Sequence, residues 1–170
     1  MARGTHNFQF SSLYVCKLVL LFCRFGSWGI CFTYGAWFGL EALALVGEYY
    51  DNSEAARKAC DFLVGHCMPD GAWGESFEAC LSKQFVFHPQ KSQVTMTAWA
   101  LMALMAAKFP DVSKLEPGVR LLIARQQSDG SWPQESITGV FNKTCMISYP
   151  NYQQIFPMWA LSRFSQYTRK

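Results

Sequence analysis

Residues 58–75, KACDFLVGHCMPDGAWGE, and residues 118–134, GVRLLIARQQSDGSWPQ, are two copies of one pattern. Trp73 falls on Trp132, 59 positions on, Asp70-Gly71 falls on Asp129-Gly130, and Phe62-Leu63-Val64 falls on Leu121-Leu122-Ile123. Self-similarity at a fixed spacing signals a repeat architecture. The apolar positions Ala59, Phe62, Leu63 and Val119, Leu122, Ile123 recur at helical spacing and predict one amphipathic helix per copy. A DGxW turn closes each helix. Asp starts the turn through its own side chain, and Gly takes the conformation with positive φ. Asn52 and Ser53 offer an N-cap before Glu54, and Pro117 suits a first helical turn.

Working outward, a second motif recurs with nearly the same period: YGAWFGL, MTAWALM and FPMWALS, centred on Trp37, Trp99 and Trp159. The stretch TAWALMALMAAKF (97–109) carries no charge until Lys108 and stops at Pro110. A helix apolar on every side is buried in protein or in a membrane, and 13 residues are too few to span. FGLEALALVGE (38–48) behaves alike, with Glu41 the buried-looking acid inside it. Alternating amphipathic outer and apolar inner helices predict an all-α fold, a partial α/α barrel (toroid) of about three helix-pair repeats. Stacked pairs cover each other's apolar faces, and three pairs do not close a ring. One edge is therefore expected to bare apolar surface and to need a partner segment.

Composition agrees. Charged residues are 16% of 170, against roughly 25% in an average soluble domain, and aromatics are also 16%. The net charge of +3 is unclustered and no basic run interleaves with aromatics, so nucleic acid is excluded as a partner class. Seven cysteines (16, 23, 31, 60, 67, 80 and 145) show no CxxC spacing and are expected to be reduced thiols in apolar space. Cys60, His66 and Cys67 on one turn cannot supply four tetrahedral ligands, so no metal is expected. The N-terminal LYVCKLVLLFCRF is interrupted by Lys17 and Arg24. It is taken as an atypical start, with an uncleaved signal anchor or an amphipathic surface helix as the alternatives.

The stretch GVFNKTCMISYPNYQQIFPMWAL (139–161) carries one charge, Lys143, and places Phe141 and Tyr149 eight apart in a Gly- and Pro-bounded segment too broken for one regular element. Side chains on such a segment are readily aimed at a ligand. The whole set of motifs resembles the triterpene cyclases. Their glutamine–tryptophan motif runs small or basic residue, aromatic, aliphatics, Gln, then DGxW. Gln126 and Trp132 fit it, while Cys67 stands where the other copy would carry Gln. More specifically, GSWGICFTYGAWFGLEAL (26–43) and GVFNKTCMISYPNYQQIFPMWALSRF (139–164) resemble the C-terminal region of the sterol-forming oxidosqualene cyclases. The likeness runs from about Gly26 to Tyr167; residues 1–25 do not share it.

This resemblance implies that residues 26–170 are the C-terminal part of a catalytic α/α barrel with glutamine–tryptophan-type turns. It implies cyclisation of (S)-2,3-oxidosqualene to a sterol skeleton, with no redox cofactor and no metal, by a monotopic protein of endoplasmic reticulum membrane or lipid droplets. It also implies that Trp28, Phe141 and Tyr149 are cavity aromatics facing developing carbocations, whereas Trp37, Trp73, Trp99, Trp132 and Trp159 are structural. The family opens the epoxide with an aspartic acid in a DCTAE-type motif beside cysteines. None of Asp51, Asp61, Asp70, Asp111 and Asp129 lies in such a motif. The chain by itself is thus expected not to start cyclisation and to need an upstream part of the barrel. The competing reading is a catalytically inactive, truncated or alternatively started product acting as an interaction module. A zinc-dependent prenyltransferase-like barrel lacks its ligands here, and a glycosidase would need two carboxylates flanking a cleft.

Overall fold

The computed structural model describes residues 28–142 and 144–169. The N-terminal segment 1–25 therefore lies outside the described residues, as do Cys16 and Cys23. Among the described residues six α-helices carry the fold: α1 (Cys31–Leu45), α2 (Glu54–Gly65), the short α3 (Glu78–Ser82), α4 (Val94–Ala106), α5 (Glu116–Ala124) and α6 (Tyr152–Tyr167). A 3-10 turn covers Val112–Lys114, and a small hairpin pairs β1 (Gly139–Phe141) with β2 (Cys145–Ile147).

The all-α expectation holds, and the helices divide as the periodicity requires. Every residue of α4 from Val94 to Met105 is buried. It runs between α1 and α6, while α2 packs on α1 and α4, and α5 packs on α4 and α6. The apolar helices α1, α4 and α6 thus form one layer, and the amphipathic α2 and α5 cover the grooves between them. On α2, Ser53 Oγ accepts from Ala56 N at 3.4 Å, the expected N-cap; on α5, Pro117 sits in the first turn. The apolar helices start earlier than their sequence patterns suggested, α1 at Cys31 and α4 at Val94. Ile123, expected on the buried side of α5, is 58% exposed, because Val119 and Leu122 already fill that face.

The two DGxW turns are near-identical objects. In the first, Asp70 Oδ1 accepts from Ala72 N at 3.2 Å; in the second, Asp129 Oδ1 accepts from Ser131 N at 2.9 Å. Gly71 and Gly130 have φ of +76° and +85°, which a side chain would strain. Each indole then reaches back ten residues: Trp73 Nε1 donates to Leu63 O at 2.7 Å and Trp132 Nε1 to Leu122 O at 2.8 Å. The backbone of each Trp is held by an apolar-layer helix. Thr97 of α4 clamps Trp73, and Gln154 of α6 accepts from Trp132 N at 3.1 Å and donates to its carbonyl at 3.0 Å. The copies differ where Gln126 is matched by Cys67. Gln126 Nε2 donates to Gly130 O at 2.9 Å, whereas Cys67 offers only a 3.6 Å thiol contact to Ala72 O, beside a cleft of about 270 Å³.

Just past each turn stands a carboxylate that the sequence reading did not single out. Glu75, 1% exposed, accepts from Phe32 N and Thr33 N at 2.9 Å each and from Thr33 Oγ1 at 2.8 Å, capping α1, whose own N-cap residue Ile30 has no side-chain oxygen. Glu135 accepts from Val94 N at 2.7 Å, capping α4, and pairs with Arg125 at 2.8 Å. A carboxylate at a helix N-terminus satisfies otherwise orphaned amides and suits the helix dipole. Glu75 corrects the expectation that Glu41 is the buried acid: Glu41 is half-buried between α1 and α6, accepting from Trp37 Nε1 at 3.0 Å and from Arg163.

The last expectation concerned bared apolar surface. On α6 only Pro157 and Ala160 are buried, while Ile155, Met158 and Trp159 stand exposed, as do Phe38 and Leu45 of α1. Among the described residues no helix is long and apolar enough to cross a membrane.

Candidate functional site

Residues 28–30 leave the N-terminal segment in extended form and pair with the hairpin. Val140 N donates to Trp28 O at 3.1 Å, Ile30 N donates to Thr138 O at 2.9 Å, and Gly29 bridges Gly139 antiparallel. Both glycines are required by close approach. A Cβ on Gly29 would run into the rings of Tyr34 and Trp99, and one on Gly139 into Ile147 O and the ring of Tyr149. The segment that looked irregular from sequence thus resolves into two three-residue strands and the start of α6. Asn142, with φ of +49°, turns the hairpin; Asn tolerates this region better than most residues.

The three aromatics singled out from sequence come together on this small sheet. Trp28 and Phe141 have ring centroids 5.3 Å apart at 55°, and Trp28 and Tyr149 are 6.5 Å apart at 57°. Trp28 is 48% and Phe141 40% exposed, and Tyr149 is half-buried. These faces are open although Trp28 and Phe141 stand on paired backbone, while Tyr149 lies in the short connection between β2 and α6. The pocket that Tyr149 and Tyr152 border with Glu135 and Thr138 holds only about 10 Å³, room for one water. Trp37, Trp73, Trp99 and Trp132 are buried, whereas Trp159 is 40% exposed, edge-on to Trp37 at 5.8 Å and beneath the Arg163 guanidinium at 4.8 Å.

Sequence reasoning missed Tyr152. Its ring stacks on Tyr149 at 4.8 Å and 30°, and its hydroxyl donates to Trp28 O at 3.2 Å. Burial first, and then the neighbouring Tyr149, push its phenol pKa above the usual value, so it stays a neutral donor. The signal was present as Tyr152 and Phe156, four apart on one face of α6, with Tyr149 three residues before them.

Of the described cysteines, Cys31, Cys60 and Cys80 are buried as expected and Cys67 partly so, whereas Cys145 on β2 is exposed. Burial, with a smaller contribution from Asp61, pushes Cys60 up to about 12, far from a reactive thiolate. His66 is engaged locally, its Nδ1 donating to Phe62 O at 2.8 Å with its ring against Phe62 and Phe85, each at 4.2 Å. Glu75's carboxyl is raised above its ordinary value, first by burial, with the α1 amides and the Thr33 hydroxyl pulling the other way. Its oxygens are committed to those donors, so it is a cap and not a free acid. The arrangement offers π-faces to a ligand, with an uncharged hydroxyl behind them.

Comparison with known proteins agrees with this picture. Residues 22–166 match the squalene-hopene cyclase C-terminal domain family. The chain is 54% identical to lanosterol synthase of Homo sapiens over 144 residues, covering 83% of the chain and 20% of that protein. It is 49% identical to lanosterol synthase of Saccharomyces cerevisiae over 142 residues, 84% of the chain and 19% of that protein. Cycloartenol synthase of Dictyostelium discoideum is 55% identical over 141 residues, 83% of the chain and 20% of that protein. The chain thus spans about a fifth of the length of these relatives. With its repeat turns, helical layers and half its positions shared, the chain belongs to the squalene-hopene cyclase C-terminal domain family, as a C-terminal region of an oxidosqualene cyclase.

Proposed function

We propose that this chain supplies part of the substrate-facing wall of an enzyme that closes (S)-2,3-oxidosqualene, or a similar isoprenoid, into a lanosterol-type skeleton. Cyclisation passes through carbocations that a nucleophile or strong base would quench. Aromatic faces stabilise such cations without reacting, each worth about 0.5–2 kcal/mol when desolvated. Since about 1.4 kcal/mol is tenfold in rate, two or three rings shift the partition between cyclisation and abortion by orders of magnitude. They also exclude water and hold the polyene folded. Trp28, Phe141 and Tyr149 take this role. The observation that carries the proposal is the contact between Trp28 and Phe141, distant in sequence and yet both left with open faces.

In this reading residues 26–170 form the C-terminal part of the catalytic barrel, and residues 1–25 are a separate segment. The exposed apolar residues of α1 and α6, Phe38 and Trp159 among them, support completion by further barrel helices. The initiating acid comes from outside these residues, since Glu75, the deeply buried carboxylate among the described residues, is occupied as a cap. The whole enzyme works as a monotopic protein at the endoplasmic reticulum membrane, and on lipid droplets, where its substrate partitions. The test is replacement of Trp28 or Phe141 by Ala in the full-length enzyme, with oxidosqualene products resolved by gas chromatography–mass spectrometry. Partially cyclised or rerouted products are expected; a wild-type product at a wild-type rate from both variants would overturn the proposal.

A further inference from the structure

We infer that Tyr152 is a positioning residue, holding the Trp28 and Tyr149 rings in their mutual orientation; this rests on the cation-guiding reading above. Tyr152 opens α6 and reaches across 124 sequence positions to Trp28, its hydroxyl donating to the Trp28 carbonyl at 3.2 Å. That carbonyl also accepts from Val140 N at 3.1 Å, so strand pairing survives loss of the hydroxyl. The Tyr152 ring stacks on Tyr149 and stands edge-on to Trp99 at 5.7 Å and to Phe156 at 5.1 Å. Trp99 is fully buried in α4, the best-packed helix of the fold. Tyr152 therefore links the rigid core to two of the three candidate rings by contacts that neither ring makes for itself. Trp28, half exposed, has ring contacts only to Phe141 and Tyr149 among the described residues. A ring so placed turns easily unless its backbone is fixed from a second direction.

The experiment uses the full-length enzyme with Tyr152→Phe, which deletes the hydroxyl and keeps the stacked ring, and Tyr152→Leu, which deletes both. The expected result for Tyr152→Phe is a fall in kcat of about three- to tenfold, the size of one neutral hydrogen bond. KM and thermal midpoint stay unchanged, and the share of misfolded-polyene products rises. Tyr152→Leu should raise that share further. An unchanged kcat and product spectrum in Tyr152→Phe, with Trp28→Ala and Phe141→Ala altering products, overturns the positioning role alone. Unaltered products in Trp28→Ala and Phe141→Ala overturn the cation-guiding reading and the positioning role with it. A loss confined to thermal midpoint, with products unchanged, shows a purely structural tyrosine and also overturns the inference.

Discussion

Replacing Trp73 by Phe probes the turn that defines the repeat. The indole is 1% exposed and its Nε1 donates to Leu63 O at 2.7 Å, at the end of α2. Leu63 O keeps a second, weaker donor, His66 N at 3.2 Å, so the carbonyl is not orphaned and the loss is that of one bond, about 1 kcal/mol. Phe is smaller than Trp by roughly 40 Å³. At about 24 cal/mol per Å³ of unfilled space, that adds about 1 kcal/mol. Collapse is hindered because the Trp73 backbone is pinned to Thr97 and its ring lies against Gly118 of α5. The sum is about 2 kcal/mol, the full range being about 1–3. Urea unfolding followed by circular dichroism at 222 nm reads this as a lower midpoint with an unchanged slope. A variant within about 0.5 kcal/mol of wild type would refute the claim that the indole, and not the turn backbone alone, ties α2 to the DGxW loop.

Two further outcomes follow from neighbouring residues. Cys67→Gln should raise stability by about 0.5–1.5 kcal/mol, because the amide can repeat the bond that Gln126 makes to Gly130 O and fills the cleft beside Trp73; urea midpoints decide it, and a lower midpoint counts against the equivalence of the copies. Glu75 is held above its ordinary 4.5 by burial, so the folded chain binds this proton more tightly than the unfolded one. Its contribution to stability is therefore greatest below pH 4.5 and declines as pH rises through the folded value. Wild type should lose stability relative to Glu75→Gln across that window, and a wild-type advantage that grows with pH would contradict the assignment.

The repeat was legible because its signals are local. DG pairs set turns through their own side chains, and charge-free helical runs state that they are buried. Ser53 and Pro117 were readable for the same reason, each acting within one helical turn. What escaped is non-local. Glu75 caps a helix more than forty residues earlier, and nothing in the letters around it says so. The hairpin escaped because strands of three residues carry too little alternation to register, and its exposed side is as apolar as a core. Tyr152 was overlooked because a tyrosine in an aromatic-rich run reads as filler until its hydroxyl finds a carbonyl 124 positions away. The three rings were named through family likeness; only coordinates reveal that Trp28 lies over Phe141.

The Gly29–Gly139 bridge has a bearing on biosynthesis. Phe141 leaves the ribosome about 110 residues after Trp28, which at roughly 5–20 residues per second is a delay of about 6–22 s. Through that interval the indole has no sheet to join. The contact between Trp28 and Phe141 therefore closes late, and until then a nascent chain carries the indole past the translation and chaperone machinery without the backbone partner that later holds it.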